Sequence, residues 1–186
     1  TVAAPHLRLK REPWFCPGCP HNLSTRVPAG SCALAGVGCH LMAMWAGRDT
    51  LAVSQMGGEG VAWLGLAGST GTRHVFVNMG DGTYYHSGVL AIRAAVAANV
   101  NVTYKILYND AVAMTGGQPV DGPLDVPALT RQLAAEGVAR IVVLAREPGR
   151  YAGARGLAPH VDVRPREHLD AVQRELRDTP GTTILL

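Results

Sequence analysis

Short, almost wholly apolar runs alternate along this chain with helical patterns and glycine-rich turns, and this alternation constrains the fold most tightly. Stretches 50–56 (TLAVSQM), 73–79 (RHVFVNM), 102–108 (VTYKILY), 140–145 (RIVVLA) and 182–186 (TTILL) have strand length and apolar character, and 102–108 is β-branched and aromatic. Between them, 61–68, 86–99, 127–137 and 165–178 read as helices. In 86–99 the helical spacing puts Leu90, Ala94 and Ala97 on one face. The 127–137 helix has a proline near its start and a glycine at its end. The order β-α-β-α-β-α-β-α-β predicts an α/β fold: a parallel sheet with right-handed crossovers and helices on both faces, in three layers. Nearly all-apolar strands fit a sheet covered on both sides.

The rest of the chain is less regular. Residues 1–13 read as a polar, basic arm, 14–48 as a cysteine-rich segment of loop and short helix, and 49–186 as the α/β domain. The Gly-, Ala- and Arg-rich stretch 149–159 reads as a mobile loop. The first residue is Thr1 and the final strand stops without a turn, so the chain is expected to be part of a longer polypeptide. At 47% hydrophobic and 17% charged residues, its composition excludes intrinsic disorder. No window reaches the roughly 18 uninterrupted apolar residues of a membrane span. A net charge of +3, with Lys10 and Lys105 the only lysines, argues against a nucleic-acid partner. No signal peptide follows Arg8, Lys10 and Arg11, which points to the cytoplasm.

Parallel sheets bind ligands in the loops at the carboxyl ends of their strands. Three such loops carry chemistry: Gly57-Gly58-Glu59-Gly60, Gly80-Asp81-Gly82 and Asn109-Asp110-Ala111. A Walker A loop is absent, since neither lysine follows a glycine. The dinucleotide fingerprint fails too, because Trp63 stands where the third glycine belongs. Asp81 and Asn109 follow successive strands, so their loops should lie side by side. A carboxylate, an amide oxygen and a nearby backbone carbonyl form a hard oxygen set suited to Mg²⁺, with phosphate and water completing it. The glycines would let backbone approach a diphosphate, and the following helix would present its N-terminus to the anion. Gly-Asp-Gly is also an ordinary turn.

All four cysteines, Cys16, Cys19, Cys32 and Cys39, fall near the start. Such clustering suits metal or cluster ligands better than a secreted disulfide framework. Redox, zinc and iron–sulfur roles are each open to Cys16-x-x-Cys19. A zinc site from Cys16, Cys19, Cys39 and either His21 or His40 is chemically allowed.

Longer runs carry a resemblance. Gly80-Asp-Gly-Thr-Tyr-Tyr-His-Ser-Gly88 and Tyr104-Lys-Ile-Leu-Tyr-Asn-Asp-Ala-Val-Ala-Met-Thr-Gly-Gly-Gln118 are joined by Phe15-Cys-Pro-Gly-Cys-Pro-His21, Ala35-Gly-Val-Gly-Cys-His40 and Met56-Gly-Gly-Glu-Gly60. Together they resemble the thiamine-diphosphate-binding domain of indolepyruvate:ferredoxin oxidoreductase, in the fused bacterial branch of the 2-oxoacid:ferredoxin oxidoreductases. The resemblance runs from about Arg11 to Leu186.

It implies Mg²⁺ held by the side chains of Asp81 and Asn109 and the carbonyl of Ala111. The diphosphate would be lined by Gly80, Gly82, Thr83, Thr115 and Gly116. A [4Fe-4S] cluster would take Cys16, Cys19 and Cys39, with a fourth ligand beyond Leu186, while Cys32 would pack as a buried apolar residue. His21, His40 and Glu59 are the candidates for substrate or cofactor contact, although the histidines also suit a structural role and Glu59 a solvated loop. The glutamate that activates the cofactor would come from a separate pyrimidine-binding domain.

The implied reaction is oxidative decarboxylation of an indolepyruvate- or arylpyruvate-like 2-oxoacid to its acyl-coenzyme A, with electrons passed to ferredoxin. The implied partners are the other domains of the enzyme, ferredoxin, coenzyme A and a second copy in a homo-oligomer, with no membrane. The domain alone is expected to be inactive. Two alternatives are a non-oxidative thiamine-diphosphate decarboxylase or synthase domain and a zinc-bearing α/β interaction module. Trp14, Trp45 and Trp63 suit an apolar pocket or, for at least two, core packing. Arg146, Arg150 and Arg155 suit a partner domain, an acidic ferredoxin or plain solvation.

Overall fold

The computed structural model describes residues 12–109, 111–120, 122, 125–151 and 156–186. Seven strands among them form one sheet: β1 (Ala33–Ala35), β2 (Thr50–Val53), β3 (Val75–Gly80), β4 (Val102–Leu107), β5 (Arg140–Ala145), β6 (Asp162–Pro165) and β7 (Thr182–Leu185). Their order is β2-β1-β3-β4-β7-β5-β6, and every pairing is parallel. The helices are α1 (His21–Ser24), α2 (Met42–Trp45), α3 (Val61–Leu66), α4 (Asp81–Thr83), α5 (Val89–Ala97), α6 (Val126–Ala135) and α7 (Leu169–Arg177). The α/β class and the parallel sheet therefore stand as expected.

β3 and β4 occupy the middle and are buried along nearly their whole length. The sheet is flanked by two cores, of which β3 and β4 feed the larger. Val75, Val77, Met79, Tyr104 and Ile106 pack with Ile92 and Ala95 of α5 and Leu129 and Leu133 of α6. Val142 of β5 and Leu185 of β7 pack on the opposite layer with Val172 and Leu176 of α7. α6 shows why its residues choose a helix. Asp125 caps it by accepting the Ala128 N–H at 2.7 Å, Pro127 sits in the first turn, and Val126, Leu129, Thr130 and Leu133 form the buried stripe. Gly137 ends it at φ +86°.

Two strands lie where none was expected. β1 emerges within the stretch read as loop, and it sits between β2 and β3, so the cysteine-rich segment contributes to the sheet itself. Its sequence, Ala-Leu-Ala, carries no β-branched residue, and burial by two flanking strands determines its state. β6 lies just ahead of the last helix and takes only its expected first residue, Pro165; a tight 3₁₀ turn at Arg166–His168 follows, and the helix begins at Leu169. As an edge strand it is polar: Arg164 pairs with Asp162 and with Glu175 of α7.

A third difference concerns α5. Leu90 is exposed and Ala91, Ile92 and Ala95 face the core, the reverse of the expected face. A π-helical turn at Tyr84–Gly88 precedes α5, and its extra residue rotates the helix that follows. The expected arm lies almost wholly outside the described residues, as do residues 152–155 of the expected mobile loop. Among the described residues no helix is long and apolar enough to cross a membrane.

Candidate functional site

β3 delivers Asp81 to the carboxyl edge of the sheet, and β4 delivers Asn109 beside it. The Asp81 carboxylate is 3% exposed. One oxygen accepts the Gly82 N–H and the other accepts the Asn109 N–H, both at 2.9 Å. The Asn109 side-chain oxygen accepts the Ala111 N–H at 3.0 Å, turning the loop back on itself. The two loops are thus tied together by hydrogen bonds to one carboxylate.

These residues line a cavity of about 510 Å³. Gly80, Asp81, Gly82, Thr83, Asn109, Ala111 and Thr115 all contribute to its wall, as do His21, Cys39 and His40. Among the residues singled out from sequence, Gly116, Glu59, Cys16 and Cys19 are not part of that lining. Gly116 closes the turn after Thr115 in the left-handed region, at φ +119°. Gly80 is in an ordinary extended conformation, so no backbone strain demands glycine there. A Cβ on it would instead project into the site, 4.0 Å from the His40 ring. One on Gly82 would meet Val112 at 3.3 Å. Both glycines therefore open space beside an acidic group and an amide, an arrangement suited to a metal-bound diphosphate. Asp110 lies outside the described residues.

The histidines converge on this site. His21, in α1, has Nε2 3.3 Å from the Asn109 side-chain nitrogen. Burial pushes its pKa down, partly offset by the nearby Asp81 charge. His40 accepts the Gly36 N–H on Nε2 at 3.2 Å, which leaves its proton on Nδ1. Burial and then the proximity of His21 push His40 down to about 4, so it is neutral at physiological pH.

Glu59 is neither solvated nor in the cavity wall. It is fully buried, and one carboxylate oxygen accepts the Gly57 N–H at 2.7 Å. The other has no hydrogen-bond partner among the described residues and presses on Gly36, where a Cβ would come within 1.9 Å of it. Burial raises the Glu59 pKa.

The cysteine segment begins with a turn in which Cys19 N–H donates to the Cys16 carbonyl at 3.0 Å. Burial raises the Cys39 thiol, and the proximity of Cys19 and Cys16 raises it further. The Cys39 thiol is therefore within electrostatic range of both Cys19 and Cys16. Among the described residues, no group of three or more His, Cys, Asp or Glu side chains is arranged as a metal site. Cys32 stands apart, half-buried against the main core.

Of the tryptophans only Trp63 is in the core, donating its indole N–H to the Asn101 carbonyl at 3.1 Å. Trp14 and Trp45 are exposed, against the expectation that at least two would pack inside. Arg146 and Arg150 are exposed, and Arg155 lies outside the described residues. Sequence reasoning assigned no role to Tyr85 and His86, which line the cavity. They belong to the π turn, which alters the helical register just where the cavity opens. The run Tyr-Tyr-His-Ser-Gly carried no marker of that turn.

Comparison with known proteins agrees with this geometry. The family described as thiamine pyrophosphate enzyme, C-terminal TPP binding domain, matches residues 36–185. Indolepyruvate oxidoreductase subunit IorA of Methanothermobacter marburgensis is 32% identical over 139 residues, covering 67% of this chain and 22% of that protein. The IorA subunit of Pyrococcus abyssi is 31% identical over 136 residues, covering 63% of this chain and 21% of its own length. The chain thus spans about a fifth of the curated relatives it matches.

Among solved structures, 2-oxoglutarate:ferredoxin oxidoreductase from Magnetococcus marinus superposes with a TM-score of 0.67 at 16% identity, over 95% of this chain and 64% of that one. Benzoylformate decarboxylase from Polynucleobacter necessarius gives 0.60 at 18% identity, over 90% and 32%. Both share the fold. With its carboxylate-tied loops at the sheet edge and a family match over most of its length, the chain belongs to the C-terminal TPP-binding domains of the thiamine pyrophosphate enzymes.

Proposed function

We propose that this chain is the diphosphate-binding part of a Mg²⁺- and thiamine-diphosphate-dependent 2-oxoacid:ferredoxin oxidoreductase of the indolepyruvate type. The observation that carries the reading is the Asp81 carboxylate, buried at the cavity and bonded to the N–H groups of both Gly82 and Asn109. In this reading Asp81, Asn109 and the Ala111 carbonyl hold Mg²⁺. Gly80, Gly82, Thr83, Thr115 and Gly116 receive the diphosphate. Residues 49–186 together with β1 form the cofactor-binding unit, and a pyrimidine-binding domain elsewhere in the enzyme completes the pocket. Similarity to the IorA subunits supports an indolepyruvate- or arylpyruvate-like substrate.

Bound thiamine diphosphate supplies the electron sink for breaking the bond between a 2-oxo carbon and its carboxylate. The chain's own residues bind and shield. Asp81 and the glycines seat the charged end of the cofactor. His40, neutral with its proton on Nδ1, offers a donor in the cavity wall. Cys16, Cys19 and Cys39 are proposed as three thiolate ligands of a [4Fe-4S] cluster, with a fourth supplied from elsewhere in the enzyme. The electrostatic influence of Cys16 and Cys19 on the Cys39 thiol supports that assignment. A cluster held by these cysteines would supply a one-electron outlet towards ferredoxin, with coenzyme A as the acyl acceptor. The working enzyme would be a cytoplasmic homo-oligomer.

The test is calorimetric titration of the intact parent enzyme with thiamine diphosphate, with and without Mg²⁺. Saturable binding that requires Mg²⁺ is expected. A folded enzyme that fails to bind would remove the reading.

A further inference from the structure

The cysteine segment and the cation loop are joined by a direct side-chain contact. His21 stands two residues after Cys19 and opens α1. Its Nε2 lies 3.3 Å from Asn109 Nδ2. The roles in this contact follow from the other end of the amide. Asn109 Oδ1 already accepts the Ala111 N–H at 3.0 Å, so the atom facing His21 is the NH₂ group, a donor only. His21 Nε2 must then be the acceptor. Turning the amide over would bring Nδ2 against the Ala111 N–H and Oδ1 against the imidazole, breaking the bond to Ala111. The backbone of Asn109 is held separately, through its N–H on Asp81 at 2.9 Å, so the face of the side-chain amide is set by the Ala111 N–H on Oδ1 and by His21 Nε2 on Nδ2. His21 is 9% exposed, so its imidazole is fixed by its surroundings while Asn109 stands at the exposed rim.

We infer that His21 is a positioning residue: by accepting the Asn109 amide hydrogen it reinforces, together with the Ala111 N–H on Oδ1, the one face of the Asn109 amide that makes Oδ1 the oxygen ligand, coupling the Cys16–Cys19 turn to cation binding. The inference rests on the reading of Asp81 and Asn109 as cation ligands. It adds a residue from a different segment and a direction of influence. Neighbours that orient a metal ligand typically contribute about 10–100-fold to metal affinity. A disturbance of the cysteine turn, two residues away from His21, should therefore be felt at Asn109.

The experiment uses the intact parent enzyme and titrates thiamine diphosphate at a series of Mg²⁺ concentrations. His21→Leu fills similar space without an acceptor. It should raise the Mg²⁺ concentration for half-maximal binding by at least about tenfold. His21→Gln keeps an acceptor oxygen and should recover most of that loss. In an Asn109→Ala background, His21→Leu should produce no further change, since the group it orients is gone. Unchanged Mg²⁺ dependence in folded His21→Leu overturns the inference, as does an equal loss in both His21 variants or an additive loss in the double variant. If the leucine variant does not fold, the glutamine variant decides: near-normal dependence supports the role, and a full loss in folded protein overturns it. Wild-type enzyme without Mg²⁺-dependent binding would instead remove the underlying site reading.

Discussion

The Asn109 backbone N–H donates to the Asp81 carboxylate at 2.9 Å, locking the loop after β4 to the loop after β3. The second Asp81 oxygen holds Gly82 at the same distance. One buried side chain therefore sets the relative position of both loops before any ligand arrives, which is the preorganisation that an anion and cation site needs.

Asp81→Ala removes both acceptors and the proposed metal ligand. Mg²⁺-dependent binding of thiamine diphosphate to the intact enzyme is expected to disappear. Two partly buried N–H groups lose their charged acceptor, so the domain should also lose about 1–3 kcal/mol in denaturant unfolding. Retained affinity would disprove the metal assignment.

Gly36→Ala tests the contact beneath the site. Its new Cβ would fall 1.9 Å from a Glu59 carboxylate oxygen. Overpacking of this kind costs roughly 1–3 kcal/mol. The double variant Gly36→Ala/Glu59→Ala should regain much of that loss, because the atoms nearest the new Cβ are the Glu59 carboxylate and Cγ, which alanine removes. A single variant as stable as wild type would show that the segment shifts freely.

His74 gives a pH signature of the fold, remote from the site. Its Nε2 bonds Thr103 at 2.8 Å, and Thr103 bonds Thr183 at 2.8 Å across the sheet. Burial, followed by the Arg177 charge, pushes His74 down from 6.5 to about 4. The unfolded chain therefore takes up the proton first as pH falls. Stability is fully present above about pH 6.5 and is lost progressively towards pH 4, by roughly 3 kcal/mol for this group. His74→Gln should flatten that part of the curve relative to wild type. Parallel curves for the two proteins would count against the buried neutral imidazole.

Lys105 gives the opposite end of the pH range. It is buried, and its acceptors among the described residues are neutral, the Arg26 carbonyl at 2.7 Å and Gln173 at 2.9 Å. Burial brings its pKa down from 10.5 to about 7. Between those values the unfolded chain holds the proton more tightly, so wild-type stability should gain with rising pH from this group. Lys105→Met should abolish that gain. An identical pH slope in the variant would contradict the shift.

Cys39→Ala in anaerobically purified parent enzyme should lower iron and sulfide content together and weaken absorbance near 400 nm. Zinc content at one equivalent in the wild type, with no iron, would favour the zinc alternative.

The sequence by itself determined the α/β class, the strands β3, β4, β5 and β7 and the helices α6 and α7, because each has a burial pattern or cap written within its own residues. It also marked Gly80-Asp81-Gly82 and Asn109 as neighbours, since successive parallel strands must place their following loops at one edge. β1 and β6 escaped, for an Ala-Leu-Ala strand and a charged edge strand owe their state to the strands beside them. The same holds for the site. That His21 would meet Asn109 and that Glu59 would be sealed against Gly36 depends on how distant segments pack. Local periodicity reports which side of an element is apolar. The pairing of side chains from separate elements is decided only when the whole sheet has closed its layers around them.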